Sequence, residues 1–268
     1  MQVVSIIAEQ AGCSLQNAPD IEIEDGKYVV RFAHTREEIE AALKLRFEVF
    51  NLELGEGLVS SFQTGRDRDQ FDATCHHLIV LDKETDAVVG TYRVQTMEMV
   101  GSADGFYSAG EFDLGCLPPG VLNQSVELGR ACIAREYRNR QVLFLLWKGL
   151  ALYAIGGHKR FLFGCCSLTS QNESEGRQML IHLTKRGHMH PTFFVPPKHG
   201  YECDAENLTS ECRGARVPRL FDTYLGIGAK VCGPPAIDRL FKTIDFLVIL
   251  DIQNIEAKTR KMFFTTDY

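Results

Sequence analysis

A chain of 268 residues that is 45% hydrophobic and 24% charged has the composition of a folded globular protein, which excludes a disordered chain. Its net charge of −6 excludes bulk electrostatic attraction to nucleic acid. Nine cysteines form no CxxC pair, and the opening MQVVSIIAEQAG lacks a basic n-region or an export cleavage pattern. A reducing cytoplasm fits this usage, with most cysteines acting as small buried hydrophobes.

In chain order, residues 1–24 read as a loose arm and 25–268 as one domain. Tyr28 to Phe32 alternates like a strand, and Thr35 with Glu38 forms a capping-box start for a helix through Phe50. Asn51 to Thr74 is a long, charged, Gly-containing loop of the kind that is usually functional. Strands follow at His76 to Leu81 and Ala87 to Thr96, joined by the KETD turn. Gly101 to Gly120 is irregular, with a helical turn expected in FYSAGEFDL.

The central segment is SVELGRACIAREYRNR, Ser125 to Arg140, a strand feeding a helix near Tyr137 to Ile155. The apolar run of that helix, Val142 to Ile155, is broken by Lys148 and too short for a bilayer; apolar nearly all round, it is either buried on two sides, the default expectation, or rests against something greasy. A strand at Arg160 to Ser167, a helix near Glu173 to Lys185, an insertion at 188–213, a helix at Pro218 to Leu225 and an apolar strand at Ile244 to Ile252 complete the chain. Strands that first meander and later alternate with helices indicate an α/β layer fold with a mixed sheet.

Several clusters carry potential chemistry. HLIVLD, His77 to Asp82, has an H-x-x-x-x-D spacing, but residues five apart on a strand face opposite sides, so the two cannot pair. His182, His188 and His190 lack acidic or thiol ligands at metal spacing, and no metal site is expected. Cys165 and Cys166 sit mid-strand with no helix N-terminus to lower a thiol pKa, and read as core.

The remaining charged set is Arg46, Asp69, Asp72, Arg93, Glu127 and Arg130, gathered from distant segments. An acid and a base in an otherwise apolar strand are costly to bury without partners. Glu127 and Arg130, three apart, face opposite sides unless a bulge at Gly129 re-aims one of them. The set reads either as a site or as a structural salt-bridge network. Arg135, Arg138 and Arg140 cluster where the strand meets a helix N-terminus, an anion site in itself; they read as a binding patch or as a solvated face.

LRFEVF, RDQFD, VGTYR and ELGR resemble the R-x-x-x-F, D-x-F-D, G-x-x-R and E-x-x-R pattern of acyl-homoserine-lactone synthases. A closer resemblance is to the ornithine-lipid N-acyltransferases, through FDATCHHLIVLD, GFYSAGEFDL, ELGRACIAREYRN, LLWKGLALY, FLFGCCS and the run PRLFDTYLGIGAKVCGPPAIDRLFKTIDFLVILD. It extends over about Leu45 to Asp251. Two departures are His76, where an acid is expected and amine selection could alter, and Cys166, where a smaller residue is common and packing is at stake.

The resemblance implies a GNAT fold: a mixed sheet with helices on both faces and a central strand pair that splays apart. It implies transfer of a (3-hydroxy)acyl chain to the α-amine of ornithine, the first step of ornithine lipid synthesis, with Glu127 as catalytic base. Arg46, Asp69, Asp72, Arg93 and Arg130 would bind substrate, and a backbone N–H near Cys132 to Ala134 would stabilise the attacked carbonyl. Coenzyme A users of this fold carry a Gly-containing pyrophosphate loop where this chain has REYRNRQV. The donor implied is therefore an acyl-carrier protein thioester, held by Arg135, Arg138 and Arg140, with no bound cofactor. A cytoplasmic enzyme is implied, with peripheral contact at the inner face of the membrane left open. The alternatives are an N-acyl amino acid synthase acting on another amine, such as glycine or tyrosine, and a non-catalytic acyl-carrier or lipid-binding module. Intact Glu127 with its partners disfavours the module.

Overall fold

The computed structural model describes residues 17–100, 105–203 and 216–264. Strands β1 (Glu22–Asp25), β2 (Tyr28–Phe32), β3 (His76–Asp82), β4 (Ala87–Thr96) and β5 (Ser125–Ile133) form an antiparallel meander. β5 then pairs in parallel with β6 (Phe161–Leu168), which is antiparallel to β9 (Thr243–Asp251). The short β7 (Lys230–Val231) and β8 (Ala236–Asp238) pair with the other edge of β9. The sheet is thus mixed, as expected. Residues 1–16 of the expected arm lie outside the described set, and Glu22–Glu24 already belong to β1.

The feature that positions everything else is the β5–β6 pair. Its parallel register covers only Ser125↔Phe161, Val126↔Leu162 and Glu127↔Phe163. Beyond these the strands part, and their facing backbone edges have no strand partner among the described residues. The fork closes tightly at its base: a Cβ on Gly164 would lie 2.2 Å from the Leu128 carbonyl oxygen, so only glycine fits there. On β5, Thr91↔Cys132 and Arg93↔Gly129 enclose one extra residue, a bulge in which Arg130 takes φ +50°. A left-handed conformation costs a non-glycine residue of the order of 1 kcal/mol or more, so the surroundings must hold it.

Helices cover both faces. On one face lies α1 (Arg36–Arg46), started by the Thr35–Glu38 capping box. The helix expected through Phe50 is α-helical only to Arg46, and Phe47–Glu53 continues it with π geometry, which moves its buried residues off the 3.6 period. On the other face α2 (Arg140–Gly156) packs across the sheet; Asn139 caps Val142 N–H, so it begins three residues later than Tyr137. Its second side is covered by α4 (Arg219–Gly226) and α5 (Ala257–Phe263), through Trp147 against Tyr224 and Phe263. That accounts for an apolar helix buried on two sides. Gly149 faces Leu78 at 2.9 Å from a would-be Cβ, which lets α2 sit close to the sheet. α3 (Glu173–Lys185) follows β6.

The described part of the expected insertion, 188–203, is stitched to the sheet edge by Met189↔Val231 and Glu202↔Ala236 bridges. Its remainder, 204–213, lies outside the described residues. Among the described residues, no helix is long and apolar enough to cross a membrane.

Candidate active site

A cavity of about 340 Å³ runs through the fork. Because side chains alternate across a strand, it has two unlike sides. On the α1 side it is lined by Glu127, Arg93, Arg130, Cys165, Ser167 and Asp245, with Glu56 and Tyr107 from loops. On the α2 side the alternate residues Leu128, Leu162, Cys166, Val248 and Leu250 meet Tyr92, Trp147, Phe221 and Tyr224.

Glu127 is buried and held by the turn Tyr107–Gly110. Its Oε2 accepts from Tyr107 N–H at 2.7 Å, and its Oε1 from Ser108 N–H at 2.8 Å and from the Ser108 hydroxyl. Burial pushes its pKa up, while the Ser108 and Tyr107 donors and Arg93 oppose the shift, leaving it above an ordinary glutamate. A carboxylate fixed in orientation and made more basic by burial is suited to accept a proton. The bulge brings Arg130 to the same side as Glu127. Its guanidinium lies 4.8 Å from the Tyr107 ring centroid and 4.3 Å from that of Phe241.

Arg46, Asp69, Asp72, Arg93 and Arg130 do come together, with Asp67 as a sixth member. Arg46 binds Asp67 at 2.7 Å and Asp72 at 2.6 Å; Arg93 binds Asp69, and Asp72 at 3.0 Å; Arg130 binds Asp67 at 3.2 Å and Asp69 at 3.0 Å. Three cations against three anions make a neutral buried lattice, and removing one member would leave the others uncompensated, at about 3–5 kcal/mol. Burial alone would raise the Asp72 pKa, but Arg46 and then Arg93 hold it well below the usual carboxylate range. Asp69 and Asp72 also cap the turn Gln70–Ala73. Of these six residues, Arg93 and Arg130 line the cavity.

A second group of acids stands on the same side. Glu111, Cys165 and Asp245 offer ligand-type atoms within 4.8 Å of one another, and no other such group occurs among the described residues. Burial, then Asp245 and Asp238, raise the Glu111 pKa far above its ordinary value; burial, with Asp238 adding to it, raises Asp245 as well. Glu56, raised by burial, is hydrogen-bonded by Thr169.

Sequence reasoning missed Asp67, Glu56, Glu111, Asp245 and the Tyr107–Ser108 donors. Asp245 had a signal: a carboxylate in the otherwise apolar TIDFLVILD. Asp67 was hidden by Arg66 and Arg68 in the same charged run. Glu56 and Glu111, in loops, had none.

Other sequence expectations resolve by position. Ala134 N–H donates to the Val89 carbonyl at 2.8 Å, and Cys132 pairs with Thr91, so the amide expected to stabilise a carbonyl is spent at Ala134. His76 does not face the cavity. It packs edge-on to Phe32 and Tyr153, accepts or donates at the Tyr153 hydroxyl, and is lowered to about 4 by burial and then His77. Amine selection through His76 is therefore replaced by core packing. Cys166 lines the apolar side. Burial raises the Cys165 and Cys166 thiols, which makes them poor nucleophiles. His77 binds the Asp72 carbonyl while Asp82 binds Lys27, so the two stand apart. His190 stacks on Phe193.

The basic cluster divides. Arg138 forks onto Glu53 at 2.5 and 2.6 Å, whereas Arg135 and Arg140 are exposed at the start of α2.

Residues 45–148 match the family model described as an acetyltransferase (GNAT) domain. The chain is 32% identical over 253 residues to the L-ornithine N(alpha)-acyltransferase of Agrobacterium fabrum (strain C58), covering 87% of this chain and 84% of that protein. It is 33% identical over 248 residues to the protein of the same name from Brucella abortus (strain 2308), covering 87% of each. Against the crystal structure of the AHL synthase LasI the TM-score is 0.47 at 12% identity, covering 90% of this chain and 96% of that one.

Proposed function

The chain belongs to the L-ornithine N(alpha)-acyltransferase family and is an acyltransferase with a GNAT domain, and from that premise we propose that it moves a (3-hydroxy)acyl chain from an acyl-carrier protein thioester to the α-amine of ornithine. The observation that carries the reading is the cavity through the fork, with a basic carboxylate on one side and an apolar lining on the other. The acyl chain lies on the Leu128 side, the amine on the Glu127 side, and the thioester carbonyl between them beside β5. Residues from 25 onward act as one acyltransferase domain.

An α-amine titrates near pH 8 or above and must lose a proton to attack. Glu127 takes that proton, directly or through water. The nitrogen forms a bond to the thioester carbon and the C–S bond breaks; the proton that the acylated nitrogen sheds passes to the sulfur, and the carrier's pantetheine leaves as a thiol. No acyl-enzyme is involved. Backbone N–H groups of β5 that have lost their strand partner in the gap are suited to stabilise the carbonyl oxygen. Arg130 and Arg93 meet the amino acid's carboxylate; Arg46, Asp69 and Asp72, with Asp67, hold those two arginines in place.

The carrier, an acidic protein with one phosphate on its prosthetic arm, docks at Arg135, Arg138 and Arg140, where the fold's glycine-containing pyrophosphate loop is missing. The work is cytoplasmic. Exposed Leu52, Leu54, Val59, Phe62 and Leu240, beside the cavity-lining Phe50 and Phe241, suit peripheral contact with the membrane into which a lipid product passes.

The test is mass spectrometry of the product from purified protein, ornithine and 3-hydroxyacyl-carrier protein. N-acylornithine is expected. Product formed from glycine or tyrosine in preference would favour the N-acyl amino acid synthase instead, and no acyl transfer to any amine would overturn the reading.

A further inference from the structure

The acid group opposite Glu127 has properties that a structural carboxyl pair does not require. Asp245 is 2% exposed and Glu111 4%, and Asp245 lines the cavity. Neither Asp245 Oδ1 nor Glu111 Oε2 has a well-formed hydrogen bond from a fixed donor among the described residues; the two carboxyls interact with each other, and the Ser167 hydroxyl also reaches Asp245. The Thr243 hydroxyl donates to the other oxygen of Asp245, Oδ2, at 3.1 Å. Asp238, which adds to the negative field, accepts instead from Leu240 and Phe241 N–H, both at 2.8 Å, and from the Tyr107 hydroxyl. Arg130, whose field opposes the rise at Glu111, makes its ion pairs with Asp67 and Asp69 and none with Asp245 or Glu111. A buried pair of carboxyls with one oxygen each lacking a well-formed hydrogen bond, and no cation beside them among the described residues, is expensive, and a cation is the partner that such a pair selects.

The same short turn joins both groups. Tyr107 and Ser108 N–H hold Glu127, and Glu111 follows at the end of that turn, beside Asp245. Asp245 and Glu56 line the same cavity as Glu127, so a molecule whose amine is at Glu127 can extend toward them.

We propose that Asp245, Glu111 and Glu56 form the seat for the side-chain ammonium of the amino acid, so that the enzyme selects a diamino acid over a neutral one. The inference rests on the reading that an amino acid is acylated at its α-amine in this cavity. In the empty seat Glu111 and Asp245 share a proton, consistent with the raised pKa of both. The arriving ammonium, a donor of three hydrogen bonds, replaces that proton.

The test compares ornithine with norvaline, which has the same carbon chain without the terminal amine. The parent should favour ornithine by about a hundredfold or more in kcat/KM, because a site built for a polar group rejects its absence strongly. Asp245→Asn and Glu111→Gln should each lower the ornithine-to-norvaline ratio about tenfold or more, mainly through the KM for ornithine. A ratio that stays put, with both substrates slowed equally, would overturn the seat while leaving the acyltransferase reading intact. A parent that acylates neither substrate would instead overturn that reading, and the seat with it. Should the variants fail to fold, calorimetry on the parent decides. Titrations in two buffers of different ionisation enthalpy should show one more proton released with ornithine than with norvaline, and equal release would overturn the seat.

Discussion

The two sides of the fork are made by the same three strands and could hardly differ more. Glu127, Cys165, Ser167 and Asp245, with Phe163, face one side; Leu128, Leu162, Cys166 and Val248 face the other. A one-residue step along each strand exchanges a polar chamber for an apolar one. An amide synthase that joins a charged amino acid to a hydrocarbon chain needs both environments within one bond length, and a splayed strand pair supplies them at a boundary one strand thick.

The largest test of the division is Glu127→Gln. Turnover should fall about 10²- to 10⁴-fold, the range for losing a positioned general base. The parent's rate should rise with pH as the Glu127 proton, held by burial, comes off, and the variant should lose that limb. Steady-state rates across pH, beside thermal melting of both proteins, check this.

Two glycines separate the fold from the chambers. A Cβ at Gly129 meets nothing within 4 Å, whereas one at Gly164 collides with the Leu128 carbonyl at the base of the fork. Gly129→Val should keep its melting temperature and lose about tenfold or more in kcat/KM by filling the cavity. Gly164→Ala should lose about 1–3 kcal/mol of stability through overpacking. Denaturant melts and rates on the two variants distinguish the roles; the reverse pattern would mean that the cavity is not used.

If the chambers hold acyl chain and amino acid, the carrier stays outside, beyond the end of β5. Arg135→Glu with Arg140→Glu, which spares the Arg138–Glu53 fork, should raise the KM for acyl-carrier protein about tenfold. Added salt should weaken the parent likewise, because exposed charges are screened within about 10 Å at 0.1 M. A short acyl-pantetheine substrate should respond far less.

Stability against pH contrasts the two polar groups on the α1 side. The pKa of Glu111 is raised on folding, so its contribution is fully present below the unfolded value near 4.5 and is lost as pH climbs through the folded one. Asp69 and Asp72 are lowered, so theirs is present above about 3.8 and lost as pH falls. Glu111→Gln should therefore flatten the alkaline decline in melting temperature and leave the acid limb unchanged. The smallest effect belongs to the thiols: Cys165→Ala and Cys166→Ala should each keep most activity, and an acyl group trapped on either would contradict direct aminolysis.

The legibility of this design in the sequence followed the range of the forces involved. Local signals were plain: the Thr35–Glu38 box set the start of α1, and alternation in SVELGRACI marked β5 and the chemistry of its faces. The bulge was foreseen as a condition, but not that Arg130 itself would take the left-handed turn, since its hold depends on Asp67, Asp69, Tyr107 and Phe241 from distant segments. The π stretch after Arg46 likewise has no local cue. Glu111 and Asp245 lie 134 positions apart (245 − 111) and become a pair only when the 107–111 turn lies over β9. His76, where the resemblance led to an acid being expected, does not touch the cavity, because its strand face is the one that α2 covers.

The most direct test of the two-chamber account is a crystal structure of the protein with N-acylornithine, the product. The acyl chain is expected among Leu128, Leu162 and Trp147, the amide within the fork, and the amino-acid end between Glu127, Arg130 and Asp245. An acyl chain on the Glu127 side, or a product bound outside the fork, would contradict it.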